Sequence, residues 1–374
     1  MASLSTRNLF HDKVRLAVTL TGIVFSVVLA SVQLGLFLGF TTATSDVIDQ
    51  SGADLWVVSE GATHLESSVA FTEQQYFRAL GTPGVARVQK QIVQFGRWKR
   101  PDGAEESVML LGFDPKGPMG RPWNIVAGSM KDLEQADTIF VDELYQKKLG
   151  VTHLGQQVEI GGFRARVAGF TRGIRTFTTA PTVFTSFKNA QNYFGLREDQ
   201  TSYLLVQLTK GASIETVRAA LIERLGGVDV RTTREWSATQ RNYWMFGTGA
   251  GVTVLIAAAL GLLVGVVVVA QTIYAATVDH IREFGTLKAM GATNAYIYGV
   301  ILRQALTSGV IGYAIGIAIA LAVSLASLKG SPAILVPPAL VLALFGLTMA
   351  MCAAASVVSI NKVTRLDPAM VFRG

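Results

Sequence analysis

Four stretches of this sequence, residues 16–45, 246–270, 304–328 and 332–360, contain no Asp, Glu, Lys, Arg or His. Each exceeds the roughly 20 residues with which an α-helix crosses about 30 Å of hydrocarbon at about 1.5 Å per residue. Uncharged apolar runs of that length predict four membrane-spanning helices. Composition agrees: half of the 374 residues are apolar and the mean hydropathy is +0.39, too positive for a soluble protein of mixed fold. The first run follows a basic flank, but its apolar stretch is about twice the roughly 7–15 residues of a secretory signal, so it reads as an uncleaved anchor.

Charge gives the orientation. The formal net charge is +7, which on its own would admit nucleic acid as a partner. Residues 46–243 are nearly neutral, however, and the excess lies outside them. Arg7, Lys13, Arg15, Arg282, Lys288, Arg303, Lys362, Arg365 and Arg373 flank the apolar runs on one side of the membrane, and Lys329 falls on the other. This is the positive-inside asymmetry rather than a nucleic-acid footprint. It predicts both termini and the loop around residue 282 in the cytoplasm, with 46–243 outside. The single cysteine, Cys352, lies in the fourth run, which excludes an intramolecular disulfide and a thiolate metal cluster.

The segment 46–243 alternates short apolar strands with polar helices and predicts an α+β domain, with two lobes dividing near 115–135, where Pro115, Gly117 and Pro118 interrupt the pattern. DLWVVSE (54–60), VARVQKQIVQFG (85–96), VMLLGFD (108–114) and SYLLVQL (202–208) read as strands, and TEQQYFRALG (72–81) and residues 213–224 as helices. TIFVDELYQKKLG (138–150) reads as strand, helix and glycine stop. QVEIGGFRARVAGF (157–170) reads as a hairpin turning at Gly161-Gly162.

Catalytic chemistry is not gathered anywhere in this segment. His64 and His153 are lone histidines without metal-ligand spacing. Asp142 and Glu143 are adjacent, so they point apart and do not form an acid/base pair. Arg164, Arg166, Arg172 and Arg175 are the most ligand-like group, although a solvated strand face explains them as well. The sequence contains no GxxxxGK[ST], GxSxG, HExxH or CxxC, so no nucleotide, metal or cofactor is expected on this chain and any energy must come from a partner. The membrane runs lack the ionisable residues that mark ion paths. Their small-residue pairs, Gly261 with Gly265 and Gly312 with Gly316, predict close helix packing.

Between the second and third runs stands REFGTLKAMGAT (282–293). With the residues before it, Ile273, Thr277, Ile281, Phe284 and Leu287 recur every three or four positions as an apolar stripe, and Asp279, Arg282, Glu283 and Lys288 occupy the remainder. A short amphipathic helix is predicted, closed by Gly291 in a left-handed conformation, with Thr293 capping the next helix. Phe284 and Leu287 are suited to a groove in a soluble partner.

This stretch resembles the coupling segment of the FtsX-like, MacB-like ABC exporter permeases, in which a short helix docks on an ATPase. The ending NKVTRLDPAMVFRG (361–374) resembles the tail of that superfamily, here at Asn361 and Pro368. NLFHDKVRLAVTLTGIVFSVVLASVQLGLF (8–37), followed by ADLWVVSEG (53–61), resembles the DevC-type permease of the heterocyst glycolipid exporter.

The resemblance implies a type VII exporter architecture: an α-helical membrane protein of four spans with a large α+β extracytoplasmic domain between the first two. The expected organisation is a cytoplasmic amphipathic segment (1–15), spans at 16–45, 244–270, 304–328 and 339–360, the domain at 46–243, a coupling region at 271–303, a short outer loop at 329–338 and a cytoplasmic tail at 361–374. Ile281, Glu283, Phe284, Leu287, Lys288 and Gly291 then form the ATPase-coupling site. The implied partners are two copies of a separate cytoplasmic ATPase carrying ATP and Mg, a second copy of the permease, a periplasmic adaptor protein, an outer-membrane channel and membrane lipid. The implied function is transmission of ATP-driven motion to the periplasmic domain in the inner membrane, for export of lipid-like or other amphiphilic cargo. An FtsX-like scaffold that regulates an extracytoplasmic hydrolase, and a lipoprotein-releasing permease, are the alternatives the same motifs allow.

Overall fold

The computed structural model describes residues 13–67, 69–178, 180–279, 286, 290–330 and 333–364. They form, in order, α1 (Lys13–Asp49), β1 (Leu55–Ser59), β2 (Phe71–Thr72), α2 (Glu73–Leu80), β3 (Val85–Lys99), β4 (Glu105–Phe113), β5 (Ile125–Ala127), β6 (Thr138–Asp142), α3 (Gln146–Leu149), β7 (Gln157–Ile160), β8 (Phe163–Thr171), β9 (Thr182–Ser186), α4 (Phe187–Phe194), β10 (Gln200–Thr201), β11 (Tyr203–Leu208), α5 (Ile214–Leu225), β12 (Val228–Thr232), α6 (Thr233–Asn242), α7 (Ala250–Asp279), α8 (Asn294–Ser327) and α9 (Pro338–Thr364). Four of the helices, α1, α7, α8 and α9, are long and apolar enough to cross a membrane. They flank one large α+β domain, as the charge-free runs predict. The chain divides into a helical unit (Met1–Leu38, Val252–Leu328, Ala333–Gly374) and a second unit (Gly39–Gly251 with Lys329–Pro332).

In the helical unit α1 packs by two different faces. Leu29 and Ser26 face Gly261 and Gly265 of α7, in antiparallel order, whereas Ile23 and Val27 face Gly312 and Gly316 of α8, in parallel order. A Cβ on Gly261 would lie 2.5 Å from Leu29 Cδ2, and one on Gly312 would lie 2.6 Å from Ile23 Cγ2. These approaches require glycine. Gly309 meets Met349 and Cys352 of α9 in the same manner. Side-chain hydroxyls do not go begging: Ser26 donates to Gly22 O (3.0 Å), Ser31 to Val27 O (2.6 Å), Thr348 to Leu344 O (2.8 Å) and Tyr313 to Val341 O (2.5 Å). Pairing of these protons, within the helix for the serines and threonine and across to α9 for Tyr313, is what an apolar surrounding demands. On α7, Ile256, Leu260, Leu263, Val264 and Val267 point outward, the lipid-facing side of a span.

In the second unit ten strands form one mixed sheet in the order β12-β1-β11-β3-β4-β9-β6-β8-β5, with β7 beside β3 and β8. The 15-residue β3 belongs to both halves of the sheet. Its residues Val85–Gln91 pair with β11 and its residues Ile92–Lys99 pair with β4. The β1 run LWVV is buried on both faces, so its side chains feed two cores. Leu55 and Val57 pack with Val217, Leu221 and Leu225 of α5. Trp56 and Val58 pack with Tyr203, Phe113, Phe140, Phe184 and Trp236 on the other side. A third core, around Trp98, Val108, Val141 and Tyr193, lies under α3 and α4.

The expected lobe boundary near 115–135 does not coincide with this division. Residues 92–200 build one half of the sheet as an excursion out of the other, and the core around Trp56 and Phe113 is common to both. The turn-rich segment around Pro115, Gly117 and Pro118 is anchored: Met119 N donates to Gln89 Oε1 (2.6 Å), Gly120 N to Ser51 O (2.8 Å) and Arg121 to Pro115 O (3.2 Å). Local stops and starts follow their chemistry. Gly161 and Gly162 (φ +58° and +87°) turn the β7–β8 hairpin, Gly150 (φ +68°) ends α3, and Ser213 and the Thr232–Glu235 capping box begin α5 and α6.

Gly312→Val is expected to lower stability by about 1–3 kcal/mol, because the added methyls enter space held by Ile23, whereas Gly346→Ala, inside α9 with no atom within 4 Å of its Cβ position, should raise it by about 0.5–1 kcal/mol. Thermal unfolding of the full chain in one detergent compares the two.

Candidate functional site

The residues singled out between α7 and α8 are placed unequally. Ile281, Glu283, Phe284, Leu287 and Lys288 lie outside the described residues. Gly291 is described and has φ +96°, a conformation open to glycine. Thr293 caps α8, its hydroxyl accepting from Tyr296 N at 3.3 Å. Three of the four arginines of the domain's group, Arg166, Arg172 and Arg175, are answered by its own fold. Arg166 donates to Gln135 Oε1 (2.6 Å), Arg172 Nε to Glu143 Oε2 (2.7 Å) and Arg175 Nε to Gly330 O (3.3 Å). Glu143 is thereby spoken for, and Asp142 is buried with both oxygens used: Oδ1 accepts from Leu144 N (3.0 Å), and Oδ2 from Thr171 Oγ1 (2.9 Å) and Ile174 N (2.8 Å). Neither carboxylate is arranged for proton transfer. Among the described residues no group of His, Cys, Asp or Glu is placed to hold a metal ion.

A different set of residues converges where the domain meets the chain segments leading to and from the long helices. Phe177 stands edge-on to Phe40 near the end of α1, with centroids 5.0 Å apart, and lies 5.2 Å from Trp244. Tyr243 meets Trp244 at 5.3 Å and stacks flat on His64 at 4.0 Å. Tyr243–Gly247 form a π-helical turn between α6 and α7, closed by Thr248 N donating to Tyr243 O, and Gly249 follows at φ +78°. Such turns re-aim side chains at the ends of helices.

Polar groups surround the rings. Leu65 N donates to Gln240 Oε1 (2.7 Å), and Arg241 reaches Ser45 Oγ (3.2 Å) and Asp49 Oδ2 (3.4 Å). Burial raises the Glu66 carboxyl above its usual range, partly offset by hydrogen bonds from backbone, Gln240 and Trp244. Burial lowers the His64 imidazole, which favours a neutral ring on Tyr243. Sequence reasoning missed this assembly; its one local signal is the Tyr243-Trp244 pair just before an uncharged run, the position of interfacial aromatics.

The MacB-like periplasmic core domain family matches residues 16–224, and the FtsX-like permease C-terminal family matches residues 255–368. The chain is 26% identical over 384 residues to the uncharacterized ABC transporter permease Rv0072 of Mycobacterium tuberculosis, covering 98% of both chains. It is 23% identical over 368 residues to the uncharacterized ABC transporter permease Mb2592 of Mycobacterium bovis, covering 96% of this chain and 95% of that one. Among solved structures, it is similar to the periplasmic region of MacB from Actinobacillus actinomycetemcomitans (TM-score 0.40, 12% identity, 52% of this chain and 96% of that one). It is also similar to the extracellular domain of the ABC-type transporter YknZ from Gram-positive bacteria (TM-score 0.37, 18% identity, 48% and 98%).

The depressed His64 value sets a pH window. A group whose folded pKa is lowered keeps its stabilising form above its ordinary value and loses it as pH falls, so the His64–Tyr243 stack is intact above pH 6.5 and weakens below it. Because His64 also lies edge-on to Trp244 at 6.0 Å, tryptophan fluorescence should change with a midpoint below 6.5. That transition should be missing in His64→Gln, and a midpoint above 6.5 would contradict the assignment.

Proposed function

The chain belongs to the FtsX-like and MacB-like ABC permeases, and from that premise we propose that it is the membrane subunit through which a separate cytoplasmic ATPase moves an extracytoplasmic domain. The sequence has no phosphate-cradling loop of its own, and membership in a permease family assigns the chemistry of ATP to a partner. The observation that carries the reading is α1. It runs unbroken for 37 residues, about 55 Å at helical rise and well beyond the roughly 30 Å of a hydrocarbon core. Its first part lies in the helical unit and its last part in the domain. An unbroken helix is a stiff connector, so displacement at one end is delivered to the other.

In this reading two permease copies bind two ATPase subunits, with Glu283, Phe284, Leu287 and Lys288 as the docking segment and Gly291 as its stop. Both termini are cytoplasmic and residues 46–243 are periplasmic. The helix directions support that pairing of ends: α1 and α8 run parallel, while Gly261 and Gly265 place α7, and Gly309 with Tyr313 place α9, antiparallel to them. The finer assignment is a DevC-like exporter working with an adaptor and an outer-membrane channel on amphiphilic cargo. It rests on the text of residues 8–37 and 53–61, and the return of the Ser26, Ser31 and Thr348 hydroxyl protons to carbonyls of their own helices agrees with it.

Two measurements test this. With Cys352→Ser removing the native thiol, a cysteine at Glu105 should react with an impermeant thiol reagent in spheroplasts and one at Glu283 should not; the reverse pattern overturns the topology. Replacing Phe284 and Leu287 together by Ala should cost about 2–4 kcal/mol of ATPase affinity, about 30- to 1000-fold in Kd, with unchanged membrane yield. Undiminished ATPase co-purification would remove 282–293 as the docking element.

A further inference from the structure

The loop Arg172–Thr178 touches three chain segments that are far apart in sequence, all within the second unit. Phe177 packs against Phe40 of α1 and against Trp244 of the π turn before α7. Arg175 donates to the carbonyl of Gly330, in the link between α8 and α9. Each of the four long helices therefore adjoins a segment that this loop contacts. On its other side the loop is fastened to the sheet. Ile174 N donates to the buried Asp142 carboxylate at the end of β6 (2.8 Å), and Thr176 N donates to Tyr145 Oη (3.2 Å) just before α3. Thr176 Oγ1 also donates to Thr178 O (2.6 Å), which closes the loop on itself.

A carboxylate accepting three hydrogen bonds in a dry site is a rigid anchor, because each charge-assisted bond is stronger than a neutral one and leaving any unmade is costly. The loop is thus stiff toward the sheet and makes aromatic contact toward the helix ends, the two properties a transmitting part requires. A parallel route exists in the Arg241–Asp49 pair, which joins α6 to α1 directly at 3.4 Å. Both side chains are more than a third exposed, and such pairs contribute little.

Resting on the permease reading, we propose that Arg172–Thr178 is the node that gathers motion from the helix ends and delivers it to the sheet through Asp142, with Phe177 and Arg175 as its positioning residues. Phe177 acts by holding Phe40 and Trp244 against one ring, and Arg175 by holding the α8–α9 link to the same loop.

Amide hydrogen exchange of the full chain in mild detergent tests the node without any partner. Phe177→Ala should speed exchange in the π turn, residues 243–248, by about five- to a hundredfold, the range expected from losing two aromatic contacts of ordinary strength. The amides of β11 should be unchanged. Phe177→Leu, which keeps an apolar side chain of somewhat smaller volume but not the ring, guards against a folding failure and should give a smaller increase at the same amides. Arg241→Gln should have little effect there. Faster exchange confined to 172–178 in both Phe177 variants, or an Arg241→Gln effect as large as that of Phe177→Ala, overturns the proposal.

The second arm uses the complex with the ATPase. A nucleotide-dependent change in β6 exchange should be present in the native complex and lost in Phe177→Ala, although the ATPase still binds. Persistence of that change in the variant overturns the node, whereas failure of the native chain to bind an ATPase overturns the permease reading and leaves the first arm to decide the node.

Discussion

The close approach of α1 to α7 and α8 is the interaction on which the helical unit depends. Lipid tails are as apolar as leucine, so no hydrophobic gain draws helices together there, and association relies on dispersion contacts that fade within an ångström of separation. Glycine brings backbones near enough for those contacts to accumulate. Gly261 and Gly265 accept one face of α1, through Leu29 and Ser26, while Gly312 and Gly316 accept the other, through Ile23 and Val27. The chemistry of Ser26 shows how little slack exists. Its oxygen sits where a Cβ on Gly265 would go, and its proton is returned to Gly22 O, so the crowded position holds no unpaired polar group.

The domain solves a different problem, namely how one body can be stiff over its whole width. A shared strand does this. β3 gives its first half to β11 and its second to β4, and the core on one face runs from Trp56 and Tyr203 to Phe113, Phe140 and Phe184 without regard to the change of partner. Interiors at that density transmit displacement rather than absorb it. Asp142, at the end of β6, joins this body to the Arg172–Thr178 loop by hydrogen bonds from Thr171 and Ile174.

Much of this was legible in the sequence because its causes are local. Charge-free length announces a span, two adjacent glycines announce the β7–β8 turn, and Ser213 announces the start of α5. The small-residue pairs were visible too, though not which helix each would meet. What stayed hidden depends on residues distant in the chain. Phe40, Phe177 and Trp244 share one assembly, and nothing near any of them indicates the others. The arginines left both a ligand site and a solvated strand face open because three of their partners, Gln135, Glu143 and Gly330, lie elsewhere in the sequence. The Pro- and Gly-rich text after β4 reads as a break between lobes because composition reports turns but not anchoring. Gln89, on the strand beneath, holds it down through Met119 N.

The two kinds of packing together limit what the long helices can do. Ser26, Ser31 and Thr348 return their hydroxyl protons to carbonyls of their own helices, and Tyr313 of α8 donates to Val341 O of α9. Leu29, Ile23 and Val27 occupy the space a Cβ would need at Gly261, Gly312 and Gly316, so α1 is close-packed against α7 and α8, and sliding it would carry these side chains into bulkier neighbours. Displacement applied to one of these helices is therefore shared by the others as the motion of a packed body. α1 continues past the helical unit to Asp49 without interruption, so one helix belongs to both units.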